Sequence, residues 1–206
     1  WYENEGSGQF GSEQMITTEY GTKCVYAADL DGDGDPDVLS ALKWRETNKI
    51  AWYENDRTLQ FGPRRVIATD GDGPSSVYAA DMDGDGDMDV LSALSNDKKL
   101  VWYENDGLGR FGPSKVISNP IYAHFISTAD LDGDGDFDVL SASYGPTWYE
   151  NDGTGRFGRQ KVLSYSFVAN YVCAADLDGD GDLDVLSSSS SVIERDDKIA
   201  WYENDG

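Results

Sequence analysis

The sequence predicts an all-β chain, a β-propeller region built of four-stranded antiparallel blades. Three observations predict it. Trp-Tyr-Glu-Asn recurs at Trp1, Trp52, Trp102, Trp148 and Trp201, an aspartate-rich loop begins at Asp29, Asp81, Asp130 and Asp176, and Phe-Gly stands at Phe10, Phe61, Phe111 and Phe157. The repeat of 46 to 53 residues matches one four-stranded blade, a unit that buries both faces only against neighbours of its own kind.

Within a unit the first strand is a short apolar run such as Val-Tyr-Ala-Ala-Asp (25 to 29). It does not alternate apolar with polar, as expected of an innermost strand covered on both faces, and its alanines let blades converge at the axis. The second strand is Asp-Val-Leu-Ser-Ala-Leu (37 to 42), the third Lys-Ile-Ala-Trp-Tyr-Glu-Asn (49 to 55), and the fourth runs from 61 to 67. β-Branched and aromatic residues fill them, Gly, Asp, Asn and Pro punctuate them, and no helical stripe competes. Asn-Asp-Gly turns, as in 104 to 111, join the third and fourth strands. Because all five Trp-Tyr copies are alike, they read as packing layers between blades rather than as a sugar-stacking ladder. The whole chain, 1–206, is then one repeat region: a partial blade at 1–22 and repeats at about 23–74, 75–123, 124–169 and 170–206. The third strand occurs five times and the others four. That leaves a four-bladed ring with a surplus strand, a segment of a longer array, or open ends that pair between copies.

Composition narrows the partners. A net charge of −23 opposes nucleic acid and anionic membranes, whereas 39% hydrophobic residues are too many for a disordered acidic tail. No apolar run approaches the roughly 20 residues of a membrane-spanning helix, so membrane insertion is not expected. Cys24 and Cys173 lie on the same side of equivalent strands, one turned toward an interface and the other away, which predicts free thiols.

Every acidic loop reads D-x-D-G-D-G-x-x-D. Asp29, Asp31, Asp33 and Asp37 take positions 1, 3, 5 and 9 of the first loop, and Asp81, Asp83, Asp85 and Asp89 those of the second. Asp130, Asp132, Asp134 and Asp138 follow in the third, and Asp176, Asp178, Asp180 and Asp184 in the fourth. At position 7, Asp35, Asp87, Asp136 and Asp182 offer a backbone carbonyl, with their side chains expected in solvent. This is the oxygen spacing of a Ca²⁺ loop, with Gly at position 6 for the sharp turn. Two carboxylates about 4 Å apart repel by roughly 4 kcal/mol at an effective dielectric near 20, a repulsion that a divalent ion reverses. Four ions, one per loop, are therefore expected. An EF-hand does not fit, because Ser40, Ser92, Ser141 and Ser187 stand where its bidentate Glu belongs and strands flank the loops.

The Phe-Gly pairs, the Asp-Leu-Asp-Gly-Asp-Gly-Asp loops and the Ile-Ala-Trp-Tyr-Glu-Asn-Asp-Gly strands together resemble the FG-GAP or VCBS repeat family, the calcium-binding propeller repeats of integrin α-subunits and of many secreted proteins. The resemblance implies Ca²⁺ in the loop between first and second strands. It also implies a seven-bladed propeller, of which this chain would be a segment. Ser-Ala in place of Gly-Ala-Pro after the second strand departs from the family pattern, and no integrin-specific feature is present.

Strand direction puts the acidic loops and the Asn-Asp-Gly turns on one face and the remaining connections on the other. On that second face the repeats differ: the second-strand Val precedes the next Trp by 14, 12, 9 and 16 residues in turn. Variable loops on a rigid scaffold are where recognition concentrates. Trp44, Arg45 and Tyr144 are the candidate ligand-binding residues. One His and no nucleophile paired with a base argue against an enzyme. The expected role is an extracellular or cell-surface recognition or adhesion module for glycan or protein. The alternatives are a structural repeat of a surface filament or matrix and an accessory domain of a secreted carbohydrate-active enzyme. Extracellular placement follows from weak loops, with Kd of about 10⁻⁴ to 10⁻³ M, that a resting cytosol would leave unfilled.

Overall fold

A computed structural model describes residues 1–44, 47–56, 58, 60–165, 168–190 and 197–206. Its seventeen strands fall into five antiparallel sheets in chain order, with no helix among the described residues. The hairpin β1 (Tyr2–Gly6) and β2 (Gln9–Glu13) comes first. Three four-stranded sheets follow. The first is β3 (Thr22–Ala28), β4 (Asp37–Trp44), β5 (Thr47–Tyr53) and β6 (Arg65–Ala68). The second is β7 (Pro74–Ala80), β8 (Asp89–Leu94), β9 (Lys99–Tyr103) and β10 (Lys115–Ser118). The third is β11 (Phe125–Ala129), β12 (Asp138–Ser143), β13 (Gly145–Tyr149) and β14 (Lys161–Val162). A three-stranded sheet of β15 (Val168–Ala175), β16 (Asp184–Ser190) and β17 (Lys198–Tyr202) completes the chain.

Strands within each sheet pair in sequence order, the meander of a propeller blade. The fourth strand starts later than the sequence suggests. Phe61, Phe111 and Phe157 each make one isolated bridge, to Asn55, Asn105 and Asn151, before regular pairing begins.

Apolar side chains gather in three clusters, each sandwiched between successive sheets. Alternation along the third strand explains this. Trp52 and Trp102 pack toward the following sheet, while Tyr103 and Tyr149, one position on, pack toward the preceding one. Trp52 is accordingly 1% exposed and Trp201, on the last sheet, 49%. Innermost strands meet across the interfaces: Ser76 Oγ lies 3.5 Å from Ile126 O, and Ser127 Oγ donates to Val172 O at 3.3 Å.

Burial of the first strand differs from the sequence reading in the first and last of these sheets, where Val25 and Ala27 of β3 and Tyr171 of β15 are exposed. In β7 Val77 is 1% exposed, but its counterpart Val25 in β3 is 62% exposed, and among the described residues no sheet packs on that side of β3 as β3 packs on β7. Cys24 and Cys173 are free, as expected, though half-buried, and Cys24 Sγ sits 3.7 Å from Val77 O in the neighbouring sheet. Among the described residues no helix is long and apolar enough to cross a membrane.

Candidate functional site

Each acidic loop joins the first strand of a sheet to the second and folds on its own carboxylates. Asp29 Oδ1 and Oδ2 accept the amides of Gly32 and Gly34, both at 2.9 Å, and Asp33 Oδ1 accepts that of Asp35 at 2.9 Å. Asp81 and Asp85, Asp130 and Asp134, and Asp176 and Asp180 repeat the pattern in the other three loops. The glycines at positions 4 and 6 have positive φ throughout, which lets the loop coil tightly enough to bring its acids together.

Those acids converge. In the first three loops one oxygen from each of positions 1, 3 and 5 lies within 4.8 Å of the others: Asp29, Asp31 and Asp33; Asp81, Asp83 and Asp85; Asp130, Asp132 and Asp134. In the fourth the trio is Asp176, Asp178 and Asp184. Burial and the neighbouring charges push Asp31, Asp83, Asp132 and Asp178 above the ordinary carboxylate range. Asp31 Oδ1 and Asp83 Oδ1 are buried with no hydrogen-bond partner. A buried acceptor left orphaned among like charges is unfavourable unless a cation lies against it, and the all-oxygen set suits a hard one. The residues fit Ca²⁺.

Position 9 has a second duty. Asp37 Oδ2 accepts the Leu30 amide at 3.0 Å and Oδ1 the Asn55 amide at 2.8 Å, and Asp89, Asp138 and Asp184 do the same in their sheets. These acids tie the base of the loop to the end of the third strand. Burial raises Asp37 to about 6, Asp89 to about 7 and Asp138 to about 6, whereas the hydrogen bond from Asn204 leads in holding Asp184 below its usual value. Position 7 departs from expectation. Asp35, Asp87, Asp136 and Asp182 are half-buried rather than in solvent, and the carboxylates of the last three lie within 2.7 Å of where a Cβ on Gly107, Gly153 and Gly206 would be.

The asparagine of Trp-Tyr-Glu-Asn is a site residue the sequence reading missed. Asn105 Nδ2 donates to Leu30 O of the preceding sheet's loop at 2.8 Å and to Met88 O of its own at 2.9 Å. Asn151 bridges Met82 and Phe137, and Asn204 bridges Leu131 and Leu183, in the same way. One side chain thus clasps two successive acidic loops. Its signal was the invariance of Asn through all five copies, which turn propensity alone does not require.

The opposite face carries the variable residues. Trp44 ends β4, and its ring centroid is 6.0 Å from that of Tyr20 in the preceding connection. Tyr144, between β12 and β13, lies 6.2 Å from Tyr122, which stacks at 5.8 Å on His124. Arg45 lies outside the described residues.

The FG-GAP-like repeat matches residues 1–40, 41–92, 81–141 and 130–187. This chain belongs to the FG-GAP-like repeat family. No curated protein matches it. Among solved structures, the FG-GAP-like chain is similar to an Agrocybe aegerita lectin described as recognising non-reducing terminal N-acetylglucosamine, with a TM-score of 0.64 and 21% identity over 99% of this chain and 60% of that one. It is also similar to the V. cholerae biofilm matrix protein Bap1, with a TM-score of 0.56 and 24% identity over 89% of this chain and 27% of that one. The N-terminal part of BBS1 in complex with ARL6 gives 0.52 and 14%, over 83% and 49%. At such identities the likeness is one of fold, and the FG-GAP-like chain spans about 60% of the lectin.

Proposed function

We propose that this chain is a calcium-pinned, non-enzymatic recognition module working outside the cell, with glycan or protein bound on the face opposite the acidic loops. One observation carries the reading. Four acidic loops with the same internal hydrogen bonds crowd one face, while the residues that differ between repeats, Trp44 and Tyr144 with their aromatic partners, lie on the other. Positions 1, 3, 5 and 9 would hold the cation, joined by the position-7 carbonyl, and the ion supplies the positive charge that lets each loop keep its shape. The loops brace the scaffold, and the far face is free to vary. The solved lectin of similar fold supports a glycan ligand, and the acidic chain favours neutral ligands over anionic ones.

Thermal melting and ligand arrays test this together. Chelation should lower the melting temperature of the full chain, and the calcium-loaded chain should capture a glycan or an extracellular protein. A melting temperature indifferent to chelator, or an array blank for both ligand classes, would overturn it. A matrix role is the second reading, favoured by the similar biofilm protein and by the exposed apolar residues Ile199 and Trp201 on the last sheet and Leu177 in its acidic loop. Concentration-dependent assembly with a blank array would select it.

A further inference from the structure

We infer that the asparagines of Trp-Tyr-Glu-Asn couple the cation sites of successive loops, so that calcium in one loop tightens its binding in the next. The inference rests on the calcium reading and adds to it a dependence among the four sites.

Asn105 and Asn151 are 3% and 1% exposed, and each is set where two loops meet. The carbonyls they grip are flanked by cation ligands. Leu30 O belongs to the residue between Asp29 and Asp31, positions 1 and 3 of the first loop, and Met88 O to the residue between Asp87 and Asp89, positions 7 and 9 of the second. Asn105 N also donates to Asp89 Oδ1 at 2.8 Å. The turn that follows is wedged between the same two loops: a Cβ on Gly32 would lie 3.1 Å from Gly107 O, and Asp87 Oδ2 lies 2.5 Å from where a Cβ on Gly107 would be. Asn151 and Gly153 repeat the junction between the second and third loops, with Gly84 and Asp136 at the corresponding contacts. Each junction therefore joins the early ligands of one loop to the late ligands of the next.

The fourth loop shows what the clasp does. Among the described residues no asparagine donates to its position-2 carbonyl, that of Leu177, and its converging acids are Asp176, Asp178 and Asp184. Asp178 Oδ1 accepts the Asp180 amide at 3.2 Å, whereas Asp31 Oδ1 and Asp83 Oδ1 in clasped loops have no partner. One loop pattern thus takes two arrangements, and the clasped one brings positions 1, 3 and 5 together. A cation that draws those acids in fixes the carbonyls beside them, and with the carbonyls the asparagine. The neighbouring loop then meets a donor already ordered, and by linkage the effect is mutual. Charge acts in the opposite sense. A divalent ion offsets two of the five aspartate charges in its loop, which lessens the pull on an ion next door. Mutual tightening is consequently a signature of the clasp.

Amide NMR of the full chain during calcium titration tests this, with the position-6 glycines Gly34, Gly86, Gly135 and Gly181 reporting the four loops separately. Asp83→Asn should weaken the second loop. At calcium concentrations that leave Gly86 in its metal-free position, Gly34 and Gly135 should titrate at least about fivefold more weakly than in the parent. Charge alone predicts the reverse, a tightening. Once Asn105→Ala is introduced, the first loop should bind equally with and without Asp83→Asn, while the third, still joined through Asn151, should keep its dependence. Asn105→Ser, too short to span both carbonyls, takes its place if Asn105→Ala does not fold. Asn55→Ala is the control: Asn55 bonds Pro36 O of its own loop at 3.1 Å and grips no second loop among the described residues, so the dependence should match the parent's. First and third loops indifferent to Asp83→Asn, or a dependence of the first loop that survives loss of the Asn105 side chain, would overturn the coupling and leave the calcium reading intact. Four glycine amides unmoved by calcium would overturn both.

Discussion

Trp52 is held from two directions by groups that the repeat supplies in register. On one side Arg65 of the fourth strand lies 4.7 Å from its ring centroid and pairs with Glu54. On the other, Gly109 of the next sheet's turn comes so close that a Cβ would lie 2.4 Å from Trp52 Cζ2. Trp102 repeats this with Lys115 at 4.2 Å and Gly155. The exposed cation contributes only about 0.5 to 1 kcal/mol, so the glycine contact is the demanding one. Gly8, in the first hairpin, shares the positive φ but has no neighbour within 4 Å of a Cβ. Left-handed strain is therefore common to both sites and the indole clash belongs to one. Gly109→Ala should cost about 3 kcal/mol in denaturant unfolding, and Gly8→Ala about 1 kcal/mol or less. Equal costs would mean that the contact with Trp52 carries no weight.

At the scale of the element, the acidic loop was legible in the sequence because all its determinants lie within nine consecutive positions. Spacing fixed the converging carboxylates, and the glycines fixed the coil. The Asn105 clasp and the Gly109 seat were not legible, since each joins residues of different units and exists only once sheets are stacked. The exposure of Val25 escaped notice for the same reason: local apolarity says that a strand wants cover, not that cover is present. The loop's own physics gives a test with opposite signs in two conditions. Asp83 adds a charge to a like-charged trio and has a buried oxygen without a partner. In chelator, Asp83→Asn should leave stability unchanged or raise it by about 1 kcal/mol, because it relieves repulsion. With calcium at a hundredfold over its Kd, the same substitution should forfeit about 2.7 kcal/mol, one loop's share of the binding linkage. Melting the variant and parent in both conditions separates a metal ligand from a solvated turn. Loss of stability in chelator equal to that in calcium would make Asp83 a structural acid only.

Over the whole molecule, the buried acids at position 9 and the net charge of −23 make pH a probe of whether cations occupy the loops. In the metal-free chain Asp37, Asp89 and Asp138 titrate at about 6, about 7 and about 6, against about 3.9 in an unfolded chain. Between those values the native state binds more protons than the unfolded one, so stability falls as pH rises. The contribution is complete below about pH 4 and gone once pH passes about 7, and the repulsion among ionised acids acts in the same direction. Calcium reverses the sign. A bound cation favours the ionised acids and sets their loaded pKa below the unfolded value, so stability is then present at neutral pH and lost as acid displaces the ion. Melting temperature between pH 4.5 and 8 should therefore decline with pH in chelator and climb with pH in 10 mM calcium, the two curves converging at the acid end. Parallel curves would show that proton and cation do not compete for these carboxylates. The loops would then be acidic turns, and the pinned scaffold would lose its physical basis.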